Sequence, residues 1–208
     1  PGGFLVPGTA GKKTFQALKN MEDLRLLFLI TKLLNKNTSI LNHGRRVAKL
    51  ACAIGQRMKY CQAGLEHIRF AAIVHDIGKT RLSAEIVNKP GTLNEDERVL
   101  IRRHPELGYR LLRLLRSDLI IAEVALQHHE RMDGSGYPFR IKAKNINPVS
   151  RIIAVADVVD TMVSPQVYRP ALTLNEAIQE IKQNSGLLYD PGVTAAALVV
   201  IGENSFNL

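Results

Sequence analysis

In "LQHHERMDGSGYP" (126–138), two adjacent histidines, His128 and His129, end a helical pattern that Gly134 and Gly136 break a few residues later. Paired imidazoles at a helix exit are ligands of the kind divalent transition metals take. A second adjacent pair, His75 and Asp76, stands in "VHDIGK" (74–79), with Gly78 ending the helix and Lys79 just beyond. Neighbouring side chains on a regular helix diverge by about 100°. Both can still serve one binuclear centre if Asp76 bridges two ions while His75 binds one. "RHPELG" (103–108) adds His104 directly before Pro105.

Two histidines fall on apolar stripes. His43 shares its helical face with Ile40, Val47, Leu50 and Ile54, and His75 is in register with Leu65, Ile68 and Ala72. Taken singly, each is more readily a core histidine satisfied by a hydrogen bond than a ligand. The aspartates shift that balance. In "RIIAVADVVDTMV" (151–163) nearly every position around Asp157 and Asp160 is apolar, so the helix is expected to be buried on most sides. A bare buried carboxylate is very costly and needs a metal, a cation or several donors. An ion pair is the ordinary reading of Asp160, and a metal is the preferred one for Asp157. His67, the sixth histidine, reads as a surface residue.

The elements that must position these groups are helices. After the Gly- and Pro-rich stretch 1–13, read as a linker or N-terminal arm, the period is helical almost throughout. Helices are expected near 14–36, 39–59, 65–76, 94–115, 118–130, 149–164, 173–185 and 191–201. Breakers fall at Gly64, Gly78, Pro90-Gly91, the 133–138 turn, Pro148, Pro165 and Pro191. A short hairpin fits only near 137–146. No βαβ pattern and no internal repeat is visible, so the fold class is all-α, with residues 14–208 as one domain.

Composition narrows the function classes. Of the 208 residues 46% are hydrophobic and 23% charged, and no apolar run reaches the ~20 residues a membrane span needs. "LRLLFLITKLL" (24–34) is cut by Arg25 and Lys32 and reads as a core helix. The two cysteines, Cys52 and Cys61, make no disulfide framework, and no secretory segment is visible, which points to a reducing, cytoplasmic setting. A chain beginning with Pro rather than Met reads as a piece of something longer. The net charge of +9 suits an anionic partner such as a phosphate ester or nucleotide. "RLLRLLR" (110–116) reads as a helix with a solvated arginine face, and no nucleic-acid-binding signature accompanies it.

His43, "HDIGK", "HPELG", "HHERMDGSGYP" and "RIIAVADVVD", taken in order, resemble the HD-GYP subfamily of HD-domain phosphohydrolases. "KPGTLNEDE" (89–97) and "YDPGV" (189–193) are also similar to family segments, and the resemblance covers roughly 38–195. It implies an HD-domain-like helical bundle that hydrolyses the bacterial second messenger cyclic di-GMP through a binuclear metal centre, with a metal-bridging water as nucleophile. The metals implied are iron or manganese, with zinc or nickel also suited to mixed imidazole and carboxylate ligands. The metal ligands implied are His43, His75, Asp76, His104, His128, His129 and Asp157, with Asp76 and Lys79 as the catalytic residues. Lys79, Asp160, Tyr168 and Arg169 would contact substrate. Gly136, Tyr137 and Pro138 would form the loop for which the subfamily is named, at the site rim and available to a protein partner.

Three departures from the family pattern stand out. Members with three metals carry an acidic residue one turn before the first histidine, where this chain has Ser39, so two metals are expected. Gln166 stands where an arginine is usual, and "RIKAKNIN" (140–147) keeps little of the usual glycine-containing pattern. Two alternatives follow: a domain that binds cyclic di-GMP or a partner and signals with little turnover, or a phosphohydrolase for another nucleotide.

Overall fold

The computed structural model describes residues 28–115, 117–165 and 170–203. The expected arm at 1–13 and residues 14–27 of the helix expected over 14–36 lie outside the described residues, as do Gln166, Tyr168 and Arg169. Within them the chain is helical: α1 over 28–35, α2 Thr38–Arg57, α3 Gln62–Val74, α4 Ala84–Val87, α5 Glu95–Ile101, α6 His104–Leu114, α7 Leu119–Gln127, α8 Pro148–Val163, α9 Leu174–Gln183 and α10 Pro191–Gly202. Short 3-10 turns at Ile77–Arg81 and Ala143–Asn145 complete the order. Among the described residues there is no strand, and no helix is long and apolar enough to cross a membrane. The all-α expectation agrees with this.

The core lies where α2, α3, α7 and α8 meet. Val47, Leu50, Ala51 and Ile54 of α2 pack with Ile68, Ala71 and Ala72 of α3 and with Ile152, Val155 and Val159 of α8, all inaccessible to solvent. Helix α8 is buried round most of its circumference, as its apolar composition requires. Gly44 is what lets α2 come so close to α3, since a β-carbon there would stand 2.5 Å from the Ile73 carbonyl oxygen. That approach sets His43, the preceding residue, against the end of α3. Gly78 does the same for the turn after α3, because a β-carbon would lie 1.9 Å from the His104 carbonyl oxygen at the start of α6. Two close backbone approaches thus bring three stretches of ligand-type residues together.

Several expected elements change. The helix expected over 94–115 is two helices, broken at Arg102 and Arg103. Pro105 explains the break: it has no N–H to give the carbonyl of Ile101, four residues earlier, so one continuous helix would leave that oxygen unsatisfied. The helix expected over 65–76 ends at Val74, and the one over 118–130 ends at Gln127, each just before its histidine. The hairpin expected near 137–146 is absent. Arg140 and Ala143 have positive φ (55° and 22°), and the N–H groups of Phe139 and Ile141 go to the Glu130 carboxylate rather than to a strand.

Candidate metal centre

Three buried histidines have one ring nitrogen committed to the backbone. Nδ1 of His75 donates to the Ala72 carbonyl at 2.7 Å, Nδ1 of His104 to the Ile101 carbonyl at 2.8 Å, and Nδ1 of His128 to the Ala125 carbonyl at 3.0 Å. The Ile101 oxygen is the one Pro105 leaves free, so the break in the helix and the orientation of His104 have one cause. A carbonyl only accepts, so Nδ1 carries the hydrogen and each ring turns its Nε2 into the site. Burial, reinforced by the neighbouring imidazoles, pushes the His128 pKa down to about 4 and keeps its ring neutral. The Nε2 atoms of His104 and His128 then face each other at 3.2 Å.

His43 is oriented differently. Its Nδ1 lies 2.7 Å from Oδ2 of Asp160, whose other oxygen accepts from Arg46 Nε at 2.7 Å, and Arg46 Nη2 reaches Oδ2 at 3.0 Å. Its Nε2 faces Asp157 Oδ1 at 3.0 Å and Asp76 Oδ2 at 3.7 Å. A carboxylate behind an imidazole fixes its orientation and raises its basicity as a ligand. Asp160, expected to contact substrate, has a side chain 1% exposed, with both oxygens engaged by His43 and Arg46. Arg46 carried no ligand-type signal in the sequence, although it stands one residue short of a full turn beyond His43.

Asp76 connects the two halves of the site. Its Oδ2 is 3.6 Å from His75 Nε2 and 3.7 Å from His43 Nε2, while its Oδ1 is 3.1 Å from His104 Nε2 and 3.7 Å from His128 Nε2. Two donor sets result: His43, His75 and Asp157, and Asp76, His104, His128 and His129, with the donor atoms of each set within 4.8 Å of one another. Burial works against the charged form of Asp76, but Lys79 and the histidines outweigh it and hold its pKa well below the usual carboxylate range. At Asp157 burial is likewise outweighed, by His43 and His75, and that carboxyl too stays ionised.

These residues fit divalent cations. His75 Nε2 and Asp76 Oδ1 are buried and have no hydrogen-bond partner among the described residues. Orphaned buried polar atoms cost roughly 1–3 kcal/mol each; a cation at the first donor set would satisfy His75 Nε2, and one at the second would satisfy Asp76 Oδ1 with the facing lone pairs of His104 and His128. Ser39 is exposed and belongs to neither donor set. Lys79 Nζ meets Asp76 Oδ2 at 2.5 Å with its side chain 27% exposed, at the edge of the site. His67 lies apart, bonded to the Ala63 carbonyl.

The loop after the histidine doublet is held by a residue the sequence reading passed over. Glu130 is 2% exposed, and its carboxylate accepts from the Phe139 N–H at 2.8 Å and the Ile141 N–H at 3.2 Å. That clamp closes the loop of Gly136, Tyr137 and Pro138, whose Tyr137–Pro138 peptide is cis. The Tyr137 ring stacks on His129, with centroids 4.6 Å apart and planes 25° from parallel. The available signal was a carboxylate directly after two ligand-type residues and before a turn.

Several known proteins are similar to this chain. An HD domain family model matches residues 28–193. A cyclic di-GMP phosphodiesterase of Thermotoga maritima is 37% identical over 199 residues, covering 90% of this chain and 54% of its own. A 3'3'-cGAMP-specific phosphodiesterase of Vibrio cholerae is 35% identical over 143 residues, 69% of this chain and 33% of its own. The chain therefore spans about half or less of these relatives' lengths. Among solved structures, the HD domain of the L. monocytogenes phosphodiesterase PgpH in complex with cyclic-di-AMP superposes with a TM-score of 0.63 at 23% identity. It covers 83% of this chain and 94% of that one.

Proposed function

The chain belongs to the HD domain family, and on that premise we propose that it is a phosphodiesterase of the HD-GYP type that hydrolyses cyclic di-GMP at two divalent metal ions, residues 14–208 forming the domain. The observation that carries this reading is Asp76, whose two oxygens face two separate sets of ligand-type donors. His43, His75 and Asp157 would hold one ion, His104, His128 and His129 the other, and Asp76 would bridge them. Cations held there supply charge neutralisation for a phosphodiester and a lowered pKa for water. The protein's own part is to fix the ligands, through the Ala72, Ile101 and Ala125 carbonyls and Asp160, and to place Lys79 beside the reacting phosphate. Its positive charge would offset charge developing on the phosphate oxygens in the transition state.

Iron or manganese suits this mixed nitrogen and oxygen donor set, as do zinc and nickel. Two free cysteines support a reducing, cytoplasmic setting. Phe139, exposed beside Pro138, supports the loop as a contact for a protein partner.

A second reading keeps the reaction and changes the substrate. Relatives named as 3'3'-cGAMP-specific phosphodiesterases match at up to 35% identity, close to the 37% of the cyclic di-GMP enzyme. One experiment separates the readings: anaerobically loaded protein, assayed for metal content, is given cyclic di-GMP and 3'3'-cGAMP in separate and competing reactions. Cleavage of cyclic di-GMP with close to two metals per chain is expected. Less than one metal sinks the binuclear assignment, and close to three overturns the argument from Ser39. A loaded protein that cleaves neither dinucleotide is not this enzyme.

A further inference from the structure

Several cations of the described residues are already engaged. Arg46 is held by Asp160, Lys79 by Asp76, Lys89 by Glu97 and Arg151 by Asp190. Arg131 donates to the carbonyls of His128 and Glu130 and lies over Tyr189. Arg102 differs. It is the C-cap of α5, exposed, with no carboxylate within ion-pair distance among the described residues. Its guanidinium instead lies over the Tyr137 ring, 5.4 Å from the centroid. The same ring stacks on His129, so Tyr137 links the exposed Arg102 to a member of the donor set.

A guanidinium over an aromatic face is held in place while its N–H groups remain free for a second partner. Here the break that Pro105 imposes between α5 and α6 is what puts Arg102 at the rim, two residues from His104. A cyclic dinucleotide carries two phosphodiesters on one ring. When one lies at the buried donors, the other, held on the same ring, would be presented toward the open side of the site.

We propose that Arg102 is a specificity-determining residue that binds the phosphate of a cyclic dinucleotide that is not being cleaved. The proposal rests on the phosphodiesterase reading above. It assigns Arg102 to substrate selection: a small diester with one phosphate has nothing to offer it, whereas a cyclic dinucleotide does. Planar, two-pronged contact to phosphate oxygens is what a guanidinium provides and an ammonium does not.

The test compares the metal-loaded wild type with Arg102→Gln and Arg102→Lys, using cyclic di-GMP and bis(p-nitrophenyl) phosphate. For R102Q, kcat/KM for cyclic di-GMP relative to the small diester should fall about tenfold, equivalent to about 1.4 kcal/mol. The fall should lie mainly in KM, and R102K should recover part of it. The difference from wild type should shrink as salt rises. An unchanged ratio in R102Q overturns the proposal. So does an equal loss on both substrates accompanied by metal loss, since Arg102 would then act only by holding Tyr137 and His129. If the wild type cleaves the small diester but no cyclic di-GMP, the functional reading fails by itself. The Kd of cyclic di-GMP for wild type and R102Q then decides: about tenfold weaker binding supports the proposal, and equal binding overturns it.

Discussion

The Nε2 atoms of His104 and His128 stand 3.2 Å apart with both Nδ1 hydrogens spent on backbone carbonyls. Neither ring can donate to the other while both are neutral, and burial keeps His128 neutral down to about pH 4. Such a pair is favourable around a cation and unfavourable without one. The pre-organisation comes from helix ends: His104 opens α6, and His128 follows α7.

Asp160 acts through His43, so its loss should appear in metal affinity. Asp160→Asn replaces an acceptor oxygen or presents an amide to Nδ1, and weakens the hold on Arg46. Metal affinity should fall by about 10–100-fold, the usual cost of removing such a supporting carboxylate. Activity at saturating metal should recover in large part. The check is a metal titration of D160N against wild type. Unchanged affinity would remove Asp160 from the positioning role.

Asp76 and Lys79 should separate by readout. Asp76→Ala removes the group between the two donor sets and should lose metal and activity together. Lys79→Ala should keep its metal and lose rate on cyclic di-GMP. Elemental analysis and initial rates on the same preparations decide this, with the helical circular dichroism signal confirming that both variants fold. Two metals retained by D76A would end the bridging assignment.

Glu130 should stabilise the loop without binding metal. Glu130→Gln replaces an ionised acceptor of two backbone N–H groups by a neutral amide. Stability should drop by about 1.5–3 kcal/mol, the range for hydrogen bonds to charged groups. Amide exchange at Phe139 and Ile141 should speed up while the α8 core stays protected. Wild-type exchange rates at those two amides would show that the clamp does not hold the loop.

The metal-free protein should lose stability at alkaline pH. Burial works against a charged His43, yet the carboxylates of Asp157 and Asp160 outweigh it and push its pKa up to about 10 from 6.5. A pKa raised in the folded state contributes stability that is complete below about pH 6.5 and is lost as pH rises through about 10. The melting temperature of chelated protein should therefore fall between pH 7 and pH 10 more steeply in wild type than in His43→Gln. Parallel pH profiles for the two proteins would refute the assignment.

What the sequence determined by itself was the chemistry and its local placing. Side-chain identity and helical period are short-range properties. His43 and His75 could therefore be put on buried faces and Asp157 in a helix apolar all round, with Lys79 one turn beyond His75, without any knowledge of packing. The split of the 94–115 helix was also within reach, since Pro105 cannot serve the Ile101 carbonyl, but the apolar period runs on across the break and masks it. Only the tertiary structure decided which groups face which. His43 and Asp160 are 117 residues apart, and no period relates them. Their meeting depends on the crossing of α2 with α8 and on Gly44 admitting α3. For the same reason Asp160, indistinguishable in sequence from a substrate contact, lies behind the His43 ring in the fold. The sequence marks Glu130 by its place before the turn, but its partners are backbone N–H groups at Phe139 and Ile141, which every sequence has and only a fold can aim.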